Sequence, residues 1–174
     1  MMNQVIETMK TRRSIRKFKP DMVPKEIMEQ IIEAGTFAAT GMNHQDPIII
    51  AVTNKEVRDR LSKLNAEIMG TDSDPFYGAP VVLIVLADKK IPTHVYDGSL
   101  VMGNLMLAAH SLGIGSCWIH RAEEEFARQQ GQEILKSLGI EGDYEGIGHC
   151  VLGYVDGEYP KASERKANWA YYID

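Results

Sequence analysis

Cysteine is scarce in this chain. Two thiols, Cys117 and Cys150, in 174 residues make no disulfide framework and suit a reducing cytoplasm. Long apolar runs are missing too. The longest, such as Val81 to Ala87, fall far short of the roughly 20 residues that a membrane span needs. Positive charge is in deficit: 19 Lys and Arg against 24 Asp and Glu give a net charge of −5. Nothing global therefore draws the chain to nucleic acid or to an anionic membrane. There is no internal repeat, no low-complexity tract and no linker, so one domain spanning 1–174 is expected. At this length roughly 70% of the unfolded surface can be buried, and a core forms without metal or staple.

The twin arginines Arg12-Arg13 resemble an export signal, but Phe18-Lys19-Pro20-Asp21 and then Lys25, Glu26 and Glu29 follow them. An export signal needs an uncharged apolar segment there, so neither export nor a transit peptide is expected.

Periodicity gives the elements. Val5, Ile6 and Met9 share a face of a short opening helix over 3–10, and Pro24 opens a helix running to about Gly35. The β-branched run Pro47 to Thr53 reads as a buried strand, followed by a helix capped by Asn54 with Val57, Leu61, Leu64 and Ile68 on one face. A second strand runs from Pro80 to about Ala87. Asp97 is the expected cap of a nearly all-apolar helix over 98–112, closed by Gly113. A strand over 114–119, an exposed helix over 123–138 and a strand over 148–155 complete the pattern. The tail from 156 carries Trp169, Tyr171 and Tyr172, which need a surface to dock on.

Five cations, Arg12, Arg13, Arg16, Lys17 and Lys19, lie within eight positions. They form either a solvated basic face at a helix C-terminus or, with the Ser14 hydroxyl, an anion site. Thr40-Gly41-Met42-Asn43-His44-Gln45-Asp46-Pro47 reads as a turn-rich loop, or as one whose carboxamides face a planar heterocycle. Gly113 and Gly115 either end a helix or admit a ligand close to the backbone. They follow a helix, whereas a dinucleotide fingerprint precedes one. Cys117, His120, His149 and Cys150 have the count of a zinc site. Strand alternation sends 117 and 120, and 149 and 150, to opposite faces, so no metal is expected.

In order and spacing these segments resemble the FMN-dependent nitroreductase family. The carriers are R-R-S-I-R-K-F at 12–18, G-M-N-H-Q at 41–45, Y-G-A-P at 77–80, D-G-S-L-V-M-G-N-L-M-L-A-A-H-S-L-G-I-G-S-C-W-I at 97–119, and L-G-Y at 152–154 with basic Arg165 and Lys166 beyond. The resemblance implies an α+β fold: a three-layer α/β/α sandwich with a mixed, mainly antiparallel sheet, in an intertwined homodimer with FMN at the subunit interface. The tail over 156–174 would extend onto the partner. Arg12, Ser14 and Arg165, with Lys166 beside it, would hold the phosphate. Arg13 would assist near the ribityl chain and Arg16 near the pyrimidine edge. Thr40, Gly41, Asn43 and Gln45 of the other subunit would line the ring, and the backbone of Trp118, Ile119 and His120 would approach flavin N5.

The implied activity is ping-pong transfer from NADH or NADPH to a nitroaromatic, quinone or similar small electron-poor acceptor. No catalytic side chain is expected, because the flavin carries the chemistry. A flavin reductase, other specialised flavin chemistry, a non-catalytic FMN-binding protein and a flavin-free anion-binding module are the alternatives. Asp46 stands between Gln45 and Pro47, where many members run straight to Pro-Trp, and position 120 is histidine where some have glutamate. Those departures bear on the acceptor more than on the cofactor.

Overall fold

The computed structural model describes residues 3–173, so the outermost ends of the expected domain, 1–2 and 174, lie outside it. Its helices are α1 (Gln4–Thr11), α2 (Lys25–Thr36), α3 (Lys55–Met69), α4 (His94–Ser111), α5 (Ala122–Phe126) and α6 (Gln129–Ser137). Its strands are β1 (Ile48–Val52), β2 (Val81–Asp88), β3 (Gly115–Ile119) and β4 (Tyr144–Gly153), in the order β1-β2-β4-β3. All three pairings are antiparallel, and the parallel component is confined to one isolated bridge between Ser14 and Ser116.

β2 explains the layers. It is interior and apolar from Val81 to Ala87, so its alternating side chains feed two cores. Val82, Ile84 and Leu86 pack with Leu61 of α3, Phe126 of α5 and Leu135 of α6. Val81, Leu83, Val85 and Ala87 pack with Met28 and Ile31 of α2 and with Val101, Met102, Leu105 and Ala109 of α4. The result is an α+β sandwich of three layers. Among the described residues no helix is long and apolar enough to cross a membrane.

Four expectations are corrected. The helix expected to begin at Asp97 starts at His94, and Asp97 sits in its first turn, 3% exposed. A buried carboxylate with its own partners is not a solvent-side cap. The single helix expected over 123–138 is two, broken at Ala127–Arg128; Glu125 and Phe126 of the first are buried. β1, expected to be wholly buried, is an edge strand with Ala51 exposed. β4 begins four residues earlier than its apolar run, at Tyr144. Its glycines answer to packing: a Cβ at Gly146 would strike the Ala122 carbonyl, and one at Gly148 the Trp118 indole.

Two helices leave apolar surface uncovered. α1 buries no side chain, and its Val5, Ile6 and Met9 are exposed. α4 buries one face only, leaving Tyr96 and Leu100 outside, so the nearly all-apolar helix is not enclosed within one chain.

Candidate functional site

Segment 12–18 leaves α1 as extended chain and lies along the outer edge of β3. The Ile15 amide donates to the Ser116 carbonyl at 2.9 Å, and the Lys19 amide donates to that of Tyr154 at 2.9 Å. Ile15 and Phe18 are buried anchors. With Ile15 turned inward, extended geometry turns its neighbours Ser14 and Arg16 outward. Cys117 is buried in the same core as Ile15. Burial pushes that thiol up from its ordinary value, while the Arg16 charge, a Ser14 hydrogen bond and the Arg12 charge pull it back.

These cations have no anion of their own. Among the described residues Arg12, Arg13 and Arg16 form no ion pair, whereas neighbouring Lys17 is satisfied by Asp156 at 2.8 Å. Arg12 Nη1 and Ser116 Oγ are buried without a hydrogen-bond partner, as is Arg13 Nε. Buried donors are almost always paired, so orphaned donors beside unpaired guanidinium groups fit a phosphate monoester.

Arg13 also fixes the start of the tail. Its amide donates to the Tyr159 hydroxyl at 3.1 Å, and that hydroxyl lies 2.9 Å from His110 Nδ1. On the other side of the ring, His110 Nε2 lies 2.9 Å from Thr11 Oγ1, which donates its own proton to the Glu7 carbonyl. Because the Thr11 proton is spent on Glu7, His110 donates from Nε2, and a neutral ring accepts the Tyr159 proton at Nδ1. Burial, then Arg12 and Arg13, hold its pKa below the ordinary 6.5.

A depressed histidine contributes stability that is complete above the unfolded value and is lost as pH falls through the folded one. Thermal stability of the wild type is therefore expected to fall on acidification below about pH 6.5. His110→Gln should flatten that dependence; an unchanged slope would remove His110 as its source.

The loop after α2 is held by α4. The Gly41 amide donates to Asp97 Oδ1 at 2.9 Å, and Thr93 Oγ1 donates to Asp97 Oδ2 at 2.7 Å. A Cβ at Gly41 would collide with the Thr93 side chain. Met42, Asn43 and Gln45 all take left-handed φ values, 49°, 57° and 52°, unusual for three non-glycine residues so close together. Gln45 Nε2 donates to Asn43 Oδ1 at 3.1 Å. One carbonyl (Gln45) and one amide donor (Asn43) remain to face outward from the exposed loop. Burial, reinforced by the Asp97 charge, pushes the Asp46 carboxyl up.

At the far end of β3, Ile119 is buried and His120 exposed. Trp118 and His120 line a cavity of about 190 Å³ with Val95, Ser99, Glu123 and Glu145. The His120 carbonyl accepts from Asn65 Nδ2 at 2.9 Å.

One chain brings only part of the predicted set together. Arg12, Arg13, Ser14, Arg16 and Trp118–His120 lie along β3. Thr40, Gly41, Asn43 and Gln45 precede β1 at the opposite edge, about 14 Å away across two intervening strands. Along α4, Asp97 under the loop and His110 beside Thr11 are about 20 Å apart. Arg165 donates to Ser163 of its own exposed tail, and Lys166 lies 5.0 Å from the Trp169 ring. Neither meets Arg12. Cys117, His120, His149 and Cys150 do not converge: no group of three or more His, Cys, Asp or Glu gathers as metal ligands among the described residues.

Sequence reasoning missed Thr93, Asp97, Tyr159 and Asn65, and read His110 only as a local hydrogen-bonding residue, whereas its partners Thr11 and Tyr159 are distant in sequence. Only Asp97 carried a signal, and that signal read as a helix cap.

A model of the Nitroreductase family matches residues 9–154. The chain belongs to the nitroreductase family. It is 30% identical over 170 residues to an FMN reductase [NAD(P)H] of Bacillus subtilis (strain 168), covering 88% of this chain and 66% of that one. It is 32% identical over 166 residues to an NADPH-flavin oxidoreductase of Vibrio harveyi, covering 89% and 67%. It spans 59% of a Methanothermobacter thermautotrophicus relative, so this nitroreductase-family chain matches about two thirds or less of these curated relatives' length. Among solved structures, a nitroreductase with bound FMN from Bacteroides fragilis NCTC 9343 superposes with a TM-score of 0.88 at 29% identity, over 99% of this chain and 100% of that one.

Proposed function

We propose that this nitroreductase-family chain is an FMN-dependent NAD(P)H oxidoreductase. It acts in the cytoplasm as a homodimer of one domain, 1–174, on small electron-poor acceptors such as nitroaromatics or quinones. The observation that carries the reading is the orphaned donors of Arg12 and Ser116 beside Ser14 and Arg16, with no carboxylate to neutralise the two arginines. In this reading Arg12 and Ser14 hold the phosphate, joined by Arg165 and Lys166, and Arg13 supports the ribityl end. Arg16 puts a cation near the pyrimidine edge. The backbone of Trp118, Ile119 and His120 bounds the ring where a hydride arrives. The structure-solved Bacteroides fragilis relative with bound FMN supports the same cofactor. When bound, FMN supplies the two-electron transfer chemistry that no side chain here offers.

The two-edge arrangement supports the dimer. Loop 40–45 cannot meet segment 12–16 of its own chain, but a second copy related by a two-fold axis can bring it there. Exposed Val5, Ile6 and Met9 of α1, Tyr96 and Leu100 of α4, and the aromatic tail supply apolar surface for that contact. The names of the Bacillus and Vibrio relatives favour a second reading of the acceptor, in which free flavin takes the electrons.

Purified protein is expected to be yellow and to bleach anaerobically on addition of NADH or NADPH. Protein that stays colourless after FMN soaking and dialysis defeats the flavin reading. A yellow protein that neither nicotinamide bleaches is a carrier.

A further inference from the structure

Behind the end of β3 lies a polar cluster that the proposed cofactor site does not use. Asn65 of α3, Glu125 of α5 and His149 of β4 are each completely buried, at 0% exposure. Side chains of this kind are costly to bury unless they are held by partners. Asn65 is the meeting point. Its Nδ2 donates to the His120 carbonyl at 2.9 Å and also to Glu125 Oε1, while its Oδ1 accepts from Arg121 Nε at 2.9 Å. Glu125 Oε2 lies 3.3 Å from His149 Nε2, and neither that oxygen nor either His149 ring nitrogen has a hydrogen-bond partner among the described residues. His149 in turn packs against the Phe76 ring, 5.2 Å between centroids.

Asn65 thus grips the 120–121 peptide twice, through its own carbonyl oxygen and through the Arg121 side chain that follows it. The grip coincides with an unusual backbone. Arg121 has φ of 76°, a conformation that a side chain of its size rarely adopts unless its surroundings impose it. α5, which supplies Glu125, has little room to shift. A Cβ on Gly131 would meet the Glu125 carbonyl, and one on Gly146 the Ala122 carbonyl, so neighbouring backbone presses on α5 from two directions. The far end of the cluster is therefore fixed, and the near end is the segment that leads out of Trp118–His120.

We infer that Asn65, held in place by Glu125, is a positioning residue that sets the backbone direction of His120 at the edge of the flavin ring. The inference rests on the FMN reading above and concerns this chain's own residues. Asn65 touches neither cofactor nor substrate. It acts by fixing which way the peptides of 119–121 point, and so how a backbone N–H meets the ring edge. An N–H donor there pairs with an unprotonated N5 and opposes a protonated one, so loosening it favours the reduced cofactor.

The test compares wild type with Asn65→Leu, which removes every side-chain hydrogen bond while keeping the same branching and number of heavy atoms. Asn65→Ser is the substitute should the leucine variant not fold. FMN-loaded Asn65→Leu is expected to keep its cofactor, to show an altered visible flavin band, and to have a more positive midpoint potential than wild type. Leu61→Ala, a core truncation on the same helix, serves as the control: it lowers thermal stability and leaves band and potential in place. In cofactor-free protein, amide hydrogen exchange over 118–122 is expected to accelerate in the Asn65 variant while exchange over 12–18 does not. An unchanged or more negative potential, or unchanged exchange over 118–122, overturns the inference. Failure of the wild type to take up FMN defeats the functional reading instead, and the exchange arm then decides the positioning role alone.

Discussion

Arg12→Ala is expected to weaken FMN binding about a hundredfold while leaving the fold in place. A hydrogen bond to a charged group contributes roughly 1.5–3 kcal/mol, and 1.4 kcal/mol is a factor of ten, so one lost guanidinium–phosphate contact spans about 10- to 150-fold. The upper part of that range applies because Arg12 Nη1 is buried with no partner inside the chain. Its truncation strands no acceptor and breaks no internal ion pair. The segment keeps its course through the Ile15–Ser116 and Lys19–Tyr154 backbone bonds. Titration of the apoprotein by flavin fluorescence measures the loss, and circular dichroism checks the fold. Riboflavin, which lacks the phosphate, gives the discriminating control: Arg12→Ala should lower FMN affinity toward that of riboflavin and leave riboflavin binding nearly unmoved. Arg165→Ala is expected to act in the same direction, since among the described residues it bonds only the carbonyl of Ser163, two residues away. Unchanged FMN affinity in both variants refutes the placement of the phosphate.

How far the fold was legible depends on how local its causes are. β2 and α3 were readable because a β-branched apolar run and a four-three-four spacing after Asn54 are self-contained signals. β4 was readable only in its apolar half. Tyr144-Glu145-Gly146 looks like loop, and it pairs as strand because Gly146 and Gly148 let α5 and Trp118 press close. The break between α5 and α6 has the same character, being enforced by close packing of Gly131 on Glu125. In the candidate site, the basic run and the Thr40–Pro47 loop stood out as residue types in order. What holds them did not. Asp97 reaches Gly41 across 56 positions, Tyr159 reaches Arg13 across 146, and Asn65 reaches His120 across 55. A lone buried Asn or His carries no period or spacing, so nothing in the linear chain marks it.

That separation between the readable residues and their supports makes a shared site testable by complementation. Asp97→Ala removes the acceptor of both the Gly41 amide and the Thr93 hydroxyl. Loop 40–45, with three left-handed residues to maintain, is then expected to relax and release the ring. Leaving two half-buried donors without an acceptor costs roughly 1–3 kcal/mol in total, so flavin binding should fall by one to two orders of magnitude. Arg12→Ala and Asp97→Ala thus fail at opposite edges of the sheet. In a mixed dimer built on a two-fold axis, one site collects both defects and the other collects neither. Random exchange makes half of all dimers mixed, so a mixture of two flavin-poor variants should regain about a quarter of the wild-type sites. The measurement is bound FMN and NAD(P)H oxidation after subunit exchange, against each variant exchanged with itself. If each chain carried a self-contained site, every site would retain a defect and no recovery would occur. The experiment therefore decides whether the 14 Å between the two edges is bridged by a second copy or by movement within one chain.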